Sequence, residues 1–189
     1  GVVGFSQLIA SEPNMDEDTR KEFSAIIQKN TEELMQLVND VLDLSRLEAN
    51  MMKFQIQEYD AVALCNDAIY MARMRNEETI EIYFDTHIET QPITTDTGRL
   101  IQALVSTLTY PQKNTTHREI TFTLTRDDSG KQICFRISNS PLADPEFNSQ
   151  EVSIRHDINR LLLQHFGGSY NITADEQERP VINFTYPLD

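Results

Sequence analysis

Four histidines, two cysteines and a scatter of serines are the residues of this chain with obvious chemical reach, and their spacing argues against most of the chemistry they perform elsewhere. His156 has an acidic neighbour in Asp157, while His87, His117 and His165 stand isolated. No HExxH run and no His/Cys cluster is present, so no metal site is expected. Neither Ser6, Ser45 nor any other serine sits in a Gly-x-Ser-x-Gly elbow, which leaves hydrolase chemistry without support. Cys65 and Cys134 lie far apart with no CxxC pairing and read as two reduced, buried thiols. The acids Asp16, Glu17 and Asp18 fall where a helix start favours negative charge, and that bland role is preferred to a metal site. Asn114-Thr-Thr, Asn171-Ile-Thr and Asn183-Phe-Thr match the glycosylation pattern, but without a secretory leader they read as chance.

The totals bound what can position such residues. At 189 residues with 39% hydrophobic content, the chain suits one large or two small domains with a real core. Sixteen basic against thirty acidic residues leave a net charge of −14, which repels nucleic acid and anionic membrane surfaces. No apolar run approaches the roughly 18 to 20 residues that span a bilayer. The expectation is a soluble, cytoplasmic stretch without membrane contact, whose parent protein is free to carry an anchor.

The longest element is clear. Leu34, Leu37, Val38, Val41, Leu44 and Leu47 recur at three- and four-residue steps, and Phe23, Ile26 and Ile27 carry the stripe back. This predicts one amphipathic helix from a capping box at Asn14 and Glu17 to a left-handed end at Asn50. A seam of that length suits a helical bundle or a dimer. Residues 2–10 read as a shorter helix before it, broken near Pro13. Beyond residue 50 the pattern is mixed. Strands are expected at 53–59, 80–84, 92–95, 119–126, 131–139, 170–174 and 181–186, and helices at 60–75, from Asp96 or Thr97 to before Pro111, and at 152–166. Asp127-Asp128-Ser129-Gly130 is a hairpin turn, and Gly167-Gly168 stops the last helix. Met35, Met71 and Phe84 read as core.

Gly4-Phe5-Ser6-Gln7-Leu8, Asn-Thr-Glu-Glu-Leu from Asn30 and Asn-Asp-Val-Leu-Asp-Leu-Ser-Arg-Leu-Glu-Ala from Asn39 together resemble the dimerisation and phosphotransfer hairpin of sensor histidine kinases. Phe54-Gln-Ile-Gln-Glu-Tyr-Asp, Asp96 with Arg99-Leu100-Ile101-Gln102, and Gly167-Gly168 before a final hairpin are similar to three anchors of their ATP-binding domain. The resemblance implies an α+β fold, with a helical hairpin over residues 1–50 and a Bergerat-type α/β sandwich over 51–189, its mixed sheet covered by helices on one face. It implies ATP and Mg²⁺ as cofactors, a homodimer through the hairpin, and a response regulator receiver domain as partner. The phosphoacceptor histidine would lie about three helical turns before Gly4, ahead of this chain. No catalytic residue is therefore assigned, and the fragment is expected to be inactive alone.

The same resemblance marks the nucleotide site, where the residues depart from the family pattern. In place of two asparagines one turn apart followed by Ala-x-Lys stand Ser106 and Tyr110-Pro111-Gln112-Lys113. A phenol is a poor ligand for hard Mg²⁺, whereas Lys113 keeps its place for a phosphate. In place of Asp-x-Gly-x-Gly stands Asn139-Ser140-Pro141-Leu142-Ala143, and an amide lacks the carboxylate's paired acceptors for an adenine amine. Ser153 to Asp157 replace the second glycine segment, and no glycine occurs between Gly130 and Gly167. The reading is a histidine-kinase-type region with impaired or absent ATP binding, with Ser106, Tyr110, Lys113 and Asn139 at the degenerate positions. Two alternatives stay open. One is a non-enzymatic module that dimerises and docks a regulator or a partner kinase, and the other is an ATPase using Asn139 and Lys113 as unusual ligands.

Overall fold

The computed structural model describes residues 2–11, 15–77 and 79–188, and it divides the chain into two compact units, 1–45 and 46–189. The first holds helix α1 (Val2–Ser11) and most of α2 (Glu17–Glu48). The expected cap Asn14 lies outside the described residues. Asp16 stands just before α2, accepting from Thr19 N at 2.7 Å, and the Thr19 amide lowers its pKa. Between 41% and 55% of Leu34, Met35, Val38, Val41 and Leu42 is exposed, so this unit leaves its own apolar stripe largely unburied.

The second unit opens with the end of α2, which closes as expected at Asn50 with φ +54°. Asn50 N bonds Leu47 O and Met51 N bonds Arg46 O, the paired bonds of a left-handed helix stop. There follow β1 (Ile56–Asp60), α3 (Ala61–Asn76), β2 (Ile80–Thr86), β3 (Pro92–Asp96) and α4 (Thr97–Thr107). The chain continues through β4 (Arg118–Arg126), β5 (Gln132–Ser138), α5 (Gln150–His165), β6 (Ser169–Ala174) and β7 (Pro180–Pro187). β1 and β3 pair antiparallel as a small ribbon, and the other five strands form one sheet in the order β2-β4-β5-β7-β6. Only β2 and β4 run parallel in it, which makes the sheet mixed.

Alternation decides which face is buried. Ile120, Phe122 and Leu124 of β4, Ile133, Phe135 and Ile137 of β5, and Ile182 and Phe184 of β7 are wholly buried on one side. Each such side chain contributes about 1.5 to 3 kcal/mol through removal from water. Helix α3 packs on β2 and α4, α4 on α5, and α5 on β6 and β7, so the helices cover this one face. The opposite face carries Glu81, Tyr83, Thr121, Thr123, Arg136 and Asn183. Cys134 belongs to that outer face and is half-buried, whereas Cys65 is in the core as expected.

Two side chains fix the helix starts. Asp60 accepts from Val62 N and Ala63 N, and also from Gln91 N at 2.7 Å. Asp96 accepts from Arg99 N and, through its other oxygen, from Gln55 N, both at 3.0 Å. β1 begins at Ile56 rather than at the expected residue 53. α4 stops at Thr107, ahead of Pro111, because distant side chains capture its last carbonyls. At the far end of α5, Gly167 takes φ +82° and Gly168 lies so close to β7 that a Cβ would stand 2.0 Å from Thr185 O. Only glycine fits there.

Candidate functional site

The region where α4 ends and β5 passes into α5 contains three of the four positions marked from sequence. Ser106, on the last turn of α4, donates to Ala103 O at 2.6 Å and accepts from Asn159 Nδ2 of α5 at 3.1 Å. Asn159 is fully buried, and its Oδ1 has no partner among the described residues. Tyr110 follows the helix, and its phenol donates to Thr116 O at 2.5 Å. Asn139, at φ +64°, directs its Nδ2 to Glu119 O at 2.9 Å, while its backbone N bonds Pro180 O. Lys113 stands apart, exposed on the segment between α4 and β4.

Arg118, the first residue of β4, gathers these pieces. Its Nη1 donates to both Asn139 O and Asn139 Oδ1 at 3.1 Å, and its Nη2 pairs with the Asp144 carboxylate. The guanidinium carbon lies 5.8 Å from the Tyr110 ring centre and 6.0 Å from that of Phe147, within cation–π range. The two rings meet edge to face at 5.5 Å. Side-chain exposure of Arg118 and Asp144 is only 13% and 22%, so the pair is shielded from most solvent screening. Burial works to raise the Asp144 pKa, but the Glu146 amide and Arg118 prevail and hold its carboxyl below the usual range.

The connection from β5 to α5 is two short 3₁₀ turns, Pro141–Ala143 and Pro145–Phe147. Each has a proline at its first position and is capped by the residue before it, Ser140 to Leu142 N and Asp144 to Glu146 N. Ser140 is wholly buried and also donates to Thr107 O at 2.5 Å, tying the connection to α4. Leu142 and Phe147 turn inward and are buried. His156 closes the other side, with Nε2 3.0 Å from Leu142 O and Nδ1 2.7 Å from the Tyr170 hydroxyl. A carbonyl only accepts, so Nε2 carries the proton and Nδ1 accepts from tyrosine. Burial lowers the His156 pKa and raises that of Tyr170, which keeps both neutral.

Chemically this is a filled cluster. The side-chain polar atoms of Ser106, Tyr110 and Asn139 are all engaged within the chain. The sequence had marked those positions but not Arg118, Asp144 or Phe147, which complete the cluster from two separate segments, the head of β4 and the β5–α5 connection. A basic residue at the head of a strand gave no reason to look for them. A different grouping was also missed: Glu81 of β2, His117 just before β4 and Glu119 of β4 converge on the outer face.

Comparison with known proteins agrees with this architecture. Residues 1–50 match the His Kinase A (phospho-acceptor) domain. The chain is 28% identical over 130 residues to hybrid signal transduction histidine kinase A of Dictyostelium discoideum. It is 34% identical over 111 residues to the autoinducer 2 sensor kinase/phosphatase LuxQ of Vibrio cholerae. These matches take in 68% and 57% of this chain but only 6% and 13% of the relatives. Among solved structures, histidine kinase AdeS of Acinetobacter baumannii superposes over all of this chain and 93% of its own, with a TM-score of 0.74 and 14% identity. Full-length ShkA in complex with AMPPNP covers 93% of this chain and 40% of its own, with a TM-score of 0.69 and 21% identity. ThkA in complex with the response regulator protein TrrA covers 98% and 56%, with a TM-score of 0.71 and 16% identity. At such identities the structural likeness speaks for the fold. Residues 1–50 thus match the phospho-acceptor domain of histidine kinases, and the chain as a whole shares the fold of the solved histidine kinases.

Proposed function

We propose that this chain is the dimerising and partner-docking portion of a two-component sensor histidine kinase whose nucleotide site binds ATP weakly or not at all. Residues 1–50 would serve as the helical dimerisation segment and 51–189 as the ATPase-like domain. The carrying observation is the filled cluster at the end of α4, where Arg118 lies among Tyr110, Phe147, Asp144 and Asn139. A triphosphate with Mg²⁺ needs free oxygen ligands and backbone amides there. Instead, opening the cluster would break bonds worth about 1 kcal/mol each, and up to about 3 where a charge takes part. Of the four marked positions, Lys113 alone is solvent-exposed, which leaves its ammonium accessible to a phosphate.

The remaining roles follow from the helical unit and the comparisons. The exposed stripe of α2 offers a face for a second copy of the chain. The phospho-acceptor match and a neighbour held with a response regulator support a receiver domain as the docked partner. Calorimetric titration with ATP and a non-hydrolysable analogue, with and without Mg²⁺, tests the proposal. No heat at millimolar nucleotide is expected. Micromolar, Mg²⁺-dependent binding would overturn it and restore an active kinase, and its loss in Lys113→Ala would place that lysine on the phosphates.

A further inference from the structure

Glu81 and Glu119 are register partners across the parallel β2–β4 ladder, so their side chains share one face. His117 lies two residues before Glu119 and therefore points the same way. Ligand atoms of all three lie within 4.8 Å of one another, and all three residues are exposed. Tyr83, next on that face, donates its phenol to Glu81 Oε2 at 2.6 Å.

Like charges directly opposite in a sheet are destabilising, and here they sit on a chain of net charge −14. Among the described residues no lysine or arginine pairs with either carboxylate. A divalent cation would remove the repulsion. One imidazole nitrogen and two carboxylate oxygens suit a borderline metal of the Zn²⁺ type, whereas Mg²⁺ and Ca²⁺ prefer oxygen alone. We propose that Glu81, His117 and Glu119 form a surface site for Zn²⁺ or a similar divalent transition metal, completed by water. Bound there, the ion clamps the start of β4 to β2. It also fixes the end of the segment leading from α4, one residue before Arg118. The site is independent of whether ATP binds.

The test is calorimetric titration of the tag-free chain with Zn²⁺ alone. About one equivalent is expected, with a dissociation constant on the order of 10 μM. His117→Ala and the double variant Glu81→Gln/Glu119→Gln should each weaken uptake at least about tenfold. His87→Ala, just past β2, should leave it unchanged, and excess Mg²⁺ should not displace the ion. Because the three residues are exposed, thermal melts without metal should show folded variants, with a Zn²⁺-induced rise in Tm confined to chains that keep His117. Equal uptake by wild type and His117→Ala, or no stoichiometric uptake, would overturn the proposal.

Discussion

At its start, α4 is held by Asp96, whose two oxygens take the amides of Arg99, three residues on, and Gln55. At its end, the carbonyls of Thr107 and Leu108 are taken by Ser140 and Asn76, 33 and 32 residues away in sequence, and Arg118 fixes Tyr110 and Asn139 beside them. The first end combines a local cap with one bond to a residue 41 positions away, whereas the carbonyls of the second are taken by distant side chains alone. The contrast teaches how the two ends are held: the start depends on one aspartate that also anchors β1, while the far end depends on several side chains that only the fold brings together.

Substitutions can break this contrast in graded steps. Asp144→Ala should have the largest effect, about 3 kcal/mol, because it leaves Arg118 shielded and unpaired between two rings. Denaturant unfolding reads it. Ser140→Ala should cost about 2 kcal/mol by orphaning Thr107 O in a buried place. Asp96→Ala should cost about 1.5 kcal/mol, a helix cap plus one bond to Gln55 N. If it proved costlier than Asp144→Ala, the two ends would have exchanged importance. Lys113→Ala, on the exposed segment, should change stability by less than about 0.5 kcal/mol.

Acid titration sharpens the same comparison. The folded pKa of Asp144 is lowered, so its contribution is complete above the ordinary value of 3.8 and lost as pH falls through the folded one. Wild type should therefore lose stability in that acid window. Asp144→Asn should show a smaller loss, measured by urea midpoints across pH.

Much of the scaffold was legible because its signals are local. Asn50, Asp60, Asp96, Gly130 and Gly167 announce a helix end, two helix starts, a hairpin and another helix end by residue type and position. The strands expected at 119–126, 131–139 and 181–186 correspond to β4, β5 and β7, and the alternation of burial along them marks the face turned to the helices. What escaped depends on register and on long-range contact. Nothing near Thr107 in sequence signals that Ser140 will end α4, and nothing near Glu81 signals His117 until β2 and β4 lie side by side.

The strand order has a practical consequence for handling the protein. β2 and β6 are the two edges of the large sheet, and each offers unpaired backbone groups to a neighbouring molecule. β2 presents Glu81 and Asp85, charges that discourage strand addition. β6 reads Ser-Tyr-Asn-Ile-Thr-Ala, carries no charge and leaves Ile172 42% exposed. Aggregation in concentrated solution should therefore begin along β6, and a lysine in place of Ile172 is the simplest gatekeeper against it.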